Sequence, residues 1–384
     1  MQSVRRNTNM KKKTLIIIVS IILIGFVFVL ALIPNNPISD LLKDLGMGES
    51  QGCNHIYGTY TLTGTPTYDT AVTAKRTCTL CHESQTQTVY AATGLTYETD
   101  DEGITSIVSA DGFKGSILYL SSKQPNGNEV HSIADSIFCE SNLDLVIIEE
   151  GFLKIGNNAF SHSPSLQEIY LPASVTEYGS YTFAGCSSLT DVHFAKGATV
   201  LGRQQFYECK SLSEIVLPEG IADIPAGTFY GCSSLSTVSL PSTLRNIGTE
   251  AFISCVSLKD IALPETLKEI YPSSFAGCTG LSSIILPALD KLHHSAFMAC
   301  TSLKTIFLSG GIKEIEVNGA DSPFVYCSKD LILYTDATEQ PNGWAKHFEN
   351  YNSNLTDEDG GELSDDSYYN LKVVYDCAQS DFPG

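Results

Sequence analysis

The chain has 384 residues, 43% hydrophobic and 17% charged, the balance of an ordered protein rather than a disordered one. Its formal charge is −20; with the five cations of the first 13 residues set aside, 18 Lys and Arg face 43 Asp and Glu, a net of −25. A body that acidic repels phosphate backbones, which argues against nucleic acid as a partner.

Residues 1–13 carry Arg5, Arg6, Lys11, Lys12 and Lys13 and read as a short cytoplasmic segment. Residues 14–33 follow as a membrane span: from Leu15 to Ile33 only Ser20 is polar. That length makes a helix of roughly 28 Å, close to the hydrocarbon thickness of a bilayer. The cations before it should stay inside and send the remainder out. An uncleaved signal anchor is the reading we take. A cleaved leader is the competing one, with Val29-Leu30-Ala31 as a tolerable site. Residues 34–52, with Pro34, Pro37, Gly46 and Gly48, read as a tether.

Residues 53–90 form a small Cys/His module. Cys53-x-His55 and Cys78-x-x-Cys81 are two chelating pairs whose three thiolates and one imidazole suit tetrahedral, structural zinc. With Pro66-Thr67 and Arg76-Thr77 between and before them, the module resembles a zinc-ribbon-like element of exported bacterial proteins. A disulfide from Cys53 to Cys78 or Cys81 is the alternative in an oxidising exterior. Residues 91–131 read as an N-terminal β cap, from Leu95-x-Tyr97 and Ile104-x-x-Ile107 around the turn Asp100–Gly103.

Residues 132–333 are a repeat. Phe160, Phe183, Phe206, Phe229, Phe252 and Phe275 recur every 23 residues. Three positions beyond the phenylalanines stand Cys186, Cys209, Cys232, Cys255, Cys278, Cys300 and Cys327, and three further on come leucines such as Leu212 and Leu258. An aliphatic pair then follows, as in Ile215-Val216-Leu217-Pro218. A period in the twenties carrying Leu-x-x-Ile-x-Leu predicts a leucine-rich repeat solenoid. Ile215 and Leu217 point inward on a parallel strand, and Pro218 stops it. Ile221 and Ile224, three apart, predict a return through short irregular, 3-10 or helical segments. The seven column cysteines are read as buried free thiols acting as small apolar groups. Residues 334–384 read as a C-terminal cap, with a closing strand near Leu371–Tyr375, the acidic loop 357–366 and Trp344 shielding the last repeat.

The unit Ala251-Phe252-Ile253-Ser254-Cys255-Val256-Ser257-Leu258, with Ile261-Ala262-Leu263-Pro264 after it, resembles the BspA-like family of leucine-rich repeat surface proteins. Ser163 in place of Cys, and Ala195 and Ser309 in place of Pro, are local departures. The resemblance implies an exported adhesin or recognition protein that binds protein or other surface ligands.

Outward positions on the strands are where a concave face would meet its ligand. They are Glu168, Tyr170, Asp191, His193, Glu214, Val216, Asp260, Ile285 and Phe307, with Thr237, Ser239, Ala262, Ser283 and Thr305 in the same two columns. A spacer without a ligand is the structural alternative. The sequence carries no nucleophile elbow, phosphate loop or His-Glu-x-x-His, so no enzyme is expected; concave carboxylates acting as an acid and base are the remote exception. His293-His294 is expected to be an exposed pair.

Overall fold

The computed structural model describes residues 60–79, 82–318, 321–345, 348 and 371–382. The expected span 14–33, the tether, the acidic loop, and Cys53, His55 and Cys81 lie outside them. Among the described residues no helix is long and apolar enough to cross a membrane. Two compact units are present, one of residues 58–77 and 84–384 and one that includes Cys78–Glu83. In the latter, Cys78 is buried. Its N–H donates to the Glu83 carbonyl at 2.8 Å, and its own carbonyl accepts the His82 N–H at 3.0 Å, closing a tight turn.

The larger unit is a parallel β-solenoid. Four strands, Ile117–Leu120, Leu145–Ile148, Glu168–Leu171 and Asp191–Phe194, pair in parallel register one repeat apart. Glu214–Val216 pairs with Thr237–Ser239, and Ser283–Leu286, Thr305–Leu308, Ile332–Thr335 and Lys372–Val374 close the series. The inward column holds Leu118, Val146, Ile169, Ile284, Ile306 and Leu333, all 3% exposed or less. No single rung could bury such a stripe alone, so nearest-neighbour stacking makes the core.

The return segments differ from the sequence expectation. They hold a second parallel ladder of two-residue strands: Ser132–Ile133, Lys154–Ile155 and Glu177–Tyr178, then Asp223–Ile224, Asn246–Ile247, Glu269–Ile270 and Lys291–Leu292. The helical element among the described residues is the 3-10 turn Gln379–Asp381. Backbone pairing explains why. The Ala222 carbonyl, between buried Ile221 and Ile224, accepts the N–H groups of Arg245 and Asn246 in the next repeat. A helical turn would spend those groups within its own repeat. Thr105–Ser109 pairs parallel with Ser132–Ile133, so both ladders already begin inside the stretch read as the N-terminal cap. Trp344 is buried at the far end, bridges Ile315 and donates its indole N–H to the Ile312 carbonyl at 2.8 Å.

A third set of inter-repeat bonds runs through the turns, as from Phe160 N–H to Thr182 O and Phe183 N–H to Gln205 O. It carries the phenylalanine column as a continuous stack from Phe138 to Phe324, centroids 5.1 to 6.2 Å apart and rings within 18° of parallel. Burying each ring contributes about 1.5–3 kcal/mol, and each aromatic pair adds about 0.5–1.5 kcal/mol.

The cysteine column does more than fill space. Each of the seven thiols donates to the carbonyl of the phenylalanine one repeat earlier, from Cys186 to Phe160 (3.2 Å) through Cys327 to Phe297 (3.0 Å). Ser163 makes the same bond to Phe138 O at 3.2 Å. Ser141, three residues past Phe138, bonds Ser163 Oγ at 2.8 Å; Ser163 preserves the donor to the phenylalanine carbonyl, and all seven cysteines are free.

Candidate functional site

Outward positions of the first rungs are covered. A three-stranded antiparallel sheet, Thr61–Leu62, Val72–Thr77 and Ser84–Val89, packs Tyr60, Ala74, Val89 and Ala91 against Tyr119, Leu145, Ile147 and Tyr170. The Ala92 N–H donates to the Tyr119 carbonyl at 2.9 Å, and the Tyr68 hydroxyl donates to the Lys123 carbonyl at 2.7 Å. Arg76 lies over the Tyr60 ring at 4.7 Å and donates to Gln167 Oε1 at 3.1 Å.

Glu168 is the centre of this seam. Expected as an outward ligand contact, it is instead buried at 4% exposure. Its Oε2 accepts the Tyr60 N–H at 3.0 Å, while its Oε1 lies 2.6 Å from the Tyr170 hydroxyl and 3.1 Å from His193 Nε2. The Tyr170 phenol also lies 2.9 Å from the Tyr60 carbonyl, so its one proton serves either acceptor. Burial, and then the Glu168 carboxylate, push the Tyr170 phenol far above the ordinary tyrosine range. His193 stacks on Tyr170 at 4.3 Å. Glu168 therefore does not face solvent and Tyr170 does so only in part; a buried carboxylate is tolerable only when hydrogen-bonded, and the covering sheet supplies one of its donors, the Tyr60 N–H.

The far end is covered as well. Phe307 is 1% exposed; Phe382 of the C-terminal tail meets it edge-on at 5.9 Å and meets Tyr334 at 5.6 Å. The expectation of an outward aromatic contact is corrected there too: a large apolar side chain at the last rungs is sealed by the chain's own tail.

Between the two covers five rungs stay open. Their first outward column is Asp191, Glu214, Thr237, Asp260 and Ser283; the second is His193, Val216, Ser239, Ala262 and Ile285. Glu214 and Asp260 are exposed, Val216 is 57% and Ile285 38% exposed. One shallow hollow of about 490 Å³ lies across Asp191, His193, Glu214 and Val216. A second, of about 440 Å³, lies across Asp260, Ala262, Ser283 and Ile285 and is walled by Gln379 and Phe382 of the tail. Carboxylates on one edge and aliphatic side chains on the other make this stretch the candidate binding face.

A second polar cluster sits on the short ladder. His293, expected as exposed, has a side chain only 15% exposed; its Nδ1 lies 2.7 Å from Glu316 Oε2 and its Nε2 3.2 Å from Glu269 Oε2. It stacks on Tyr271 at 4.9 Å. Stacking three rungs lines up these side chains, and Lys291 pairs with Glu314 and Glu316. Burial raises the Glu316 carboxyl, but the bonds from His293 and Lys291 outweigh it and leave the group below the usual carboxylate range. The cluster is internally satisfied, which marks it as a brace across rungs rather than an open site. Among the described residues no group of His, Cys, Asp and Glu is arranged to hold a metal ion.

The repeat geometry has its counterpart in a known family. The BspA type leucine rich repeat region matches in six copies, over residues 107–235 and 199–329, more than half of the chain. The chain belongs to this family. No curated protein matches it in sequence. Among solved structures, the T. pallidum leucine rich repeat protein is 28% identical, over 49% of this chain and 88% of that one, with a TM-score of 0.45. A leucine-rich repeat protein from Bacteroides ovatus is 21% identical, over 64% and 70%, with a TM-score of 0.46. A leucine rich cell surface protein from Faecalibacterium prausnitzii is 19% identical, over 65% and 95%, with a TM-score of 0.34.

Within this BspA-type array, the covered rungs carried a signal that the column reading passed over. Ile117-Leu118-Tyr119-Leu120 and Leu145-Val146-Ile147-Ile148 are apolar at four consecutive positions. Strands exposed on one face alternate, whereas continuous apolar runs belong to strands buried on both.

Proposed function

We propose that this BspA-type repeat protein is a membrane-anchored surface protein that recognises or adheres to a protein ligand through the open rungs 191–285, by binding rather than catalysis. What carries the reading is the exposure of Val216 and Ile285 in a column whose equivalents at both ends are buried by the chain itself. Exposed aliphatic positions kept open between two built covers fit a contact surface. Residues 14–33 supply the anchor, and the acidic body beyond them lies outside the cell. The test is adhesion by cells displaying the full chain. Val216→Asp with Ile285→Asp should abolish it while surface display and the β-sheet circular dichroism stay unchanged; undiminished adhesion would favour a spacer.

The 53–90 module is proposed to hold structural zinc through Cys53, His55, Cys78 and Cys81. Its support is the donor set together with the tight turn that the His82 N–H closes on the Cys78 carbonyl, since a Cys-x-x-Cys pair needs a turn to present both thiolates to one ion. Metal analysis of the purified full chain should give one zinc, lost on Cys78→Ser. Absence of metal, with two thiols missing from the free-thiol titration, would favour the disulfide.

A further inference from the structure

The open rungs also say what kind of partner they suit. Some carboxylates on the solenoid surface are paired within the chain, as Glu177 is with Lys154 at 2.7 Å, Glu314 with Lys291 at 2.8 Å and Asp290 with Lys313 at 2.6 Å. On the open face, Asp191, Glu214 and Asp260 have no ion-pair partner among the described residues. Asp191 and Glu214 stand at the first outward position of their strands, and Asp260 holds the same place in a repeat whose backbone forms no strand. Val216, Ala262 and Ile285 form the aliphatic edge, at the repeat position two residues further on, about 7 Å away where the backbone is extended. Hydrogen-bonded rungs stack at about 4.8 Å; within this stretch Glu214–Val216 and Thr237–Ser239 are so paired, and five repeats at that spacing would span about 19 Å.

We infer that this opening takes a cationic amphipathic protein segment, with Lys or Arg side chains along one edge set against Asp191, Glu214 and Asp260 and aliphatic side chains along the other set against Val216, Ala262 and Ile285. The inference rests on the binding reading above and names the chemistry of the partner. Its ground is charge complementarity. Asp191 and Glu214 stand in adjacent repeats, Asp260 two repeats beyond Glu214, and a chain with a net −25 beyond residue 33 leaves few cations of its own to offset them. A purely acidic or purely apolar segment would satisfy only one edge. Both covers limit the length: the occupant spans from the His193–Tyr170 stack to Phe382 at the wall of the second hollow, about six residues if extended or about thirteen if helical.

The full chain in detergent, titrated by fluorescence anisotropy with three labelled fourteen-residue peptides, tests this. The probes are alternating Lys/Leu, alternating Glu/Leu and oligolysine. The Lys/Leu peptide should bind, weaken as salt rises from 0.05 to 0.5 M, and lose about tenfold or more in affinity with Glu214→Lys plus Asp260→Lys. Oligolysine should bind at least about tenfold more weakly than Lys/Leu, and Glu/Leu not at all. Equal binding of oligolysine and Lys/Leu, untouched by the charge reversals or by Val216→Asp, would reduce the effect to diffuse attraction by an acidic protein and overturn the inference. So would failure of Lys/Leu to bind. If Lys/Leu fails while Val216→Asp with Ile285→Asp still abolishes adhesion, the partner chemistry falls and the binding face stands.

Discussion

Glu168→Ala releases the N-terminal sheet from the solenoid while the later rungs stay folded. The substitution leaves the Tyr60 N–H, now bonded at 3.0 Å, without its acceptor, and removes the carboxylate that fixes the Tyr170 hydroxyl and the His193 ring. A buried donor left unsatisfied costs about 1–3 kcal/mol. The Tyr170 hydroxyl and the His193 ring lose the same carboxylate partner, and hydrogen bonds to a charged group are worth about 1.5–3 kcal/mol each. Even about 3 kcal/mol raises the open population of the sheet more than a hundredfold. Hydrogen exchange of the Ser84–Val89 amides and of the Ala92 N–H should speed up accordingly, while the Leu217 amide, bonded to Ser239 O at 3.0 Å, keeps its protection. Freed of its cover, the face exposes Tyr119, Leu145, Ile147 and Tyr170, so binding of an apolar dye should rise with it. Glu168→Gln keeps an acceptor for Tyr60 and should fall between. Unchanged exchange in the sheet of Glu168→Ala would show that apolar packing alone holds the cover.

The same residue shows where reading the sequence succeeded and where it stopped. The Phe, Cys and Leu columns locate the long rungs because each is a purely local consequence of stacking like on like: a position buried in one repeat is buried in the next. Which way a strand residue points follows from the same periodicity, and Glu168 does point away from the solenoid core. What lies over it is set by residues 60–92, about a hundred positions upstream, and no period links the two. The second ladder was missed for a different reason. Two-residue strands such as Asp223–Ile224 are too short to show alternation, and the Ile221–Ile224 spacing fits a helical turn equally well. Cysteine as a donor was invisible for a third: its partner is a main-chain carbonyl, which leaves no mark on sequence beyond Ser163 standing where the later repeats have Cys. That substitution, read as a departure, is a chemical equivalent.

Alkaline pH should unfold the array steeply, and the thiol column sets the slope. Burial pushes Cys186, Cys232 and Cys278 up to about 12, and raises Cys209 and Cys255 well above the ordinary value. For Cys300 a hydrogen bond with Cys327 acts first and burial second, in the same direction. In the unfolded chain these thiols ionise near pH 8.5. Below that pH both states hold the proton and the contribution to stability is complete. Above it the unfolded chain releases protons that the folded one keeps, so stability is lost as pH climbs toward the folded values, at about 1.4 kcal/mol per pH unit for each thiol. Six such groups give about 8 kcal/mol per unit, against the 5–15 kcal/mol that typically holds a domain. Circular dichroism at 25 °C should therefore show loss of β structure between about pH 9 and 11, starting in the central rungs where the raised thiols are contiguous. Cys209→Ser, Cys232→Ser and Cys255→Ser together keep the donor to the phenylalanine carbonyl, as Ser163 does at 3.2 Å, and remove three of the titrating groups. Below about pH 10, where the tyrosines of the unfolded chain still hold their protons, that variant should show about half the pH slope, whatever its stability at neutral pH. An identical slope would mean that tyrosines and lysines, not the thiols, drive the transition.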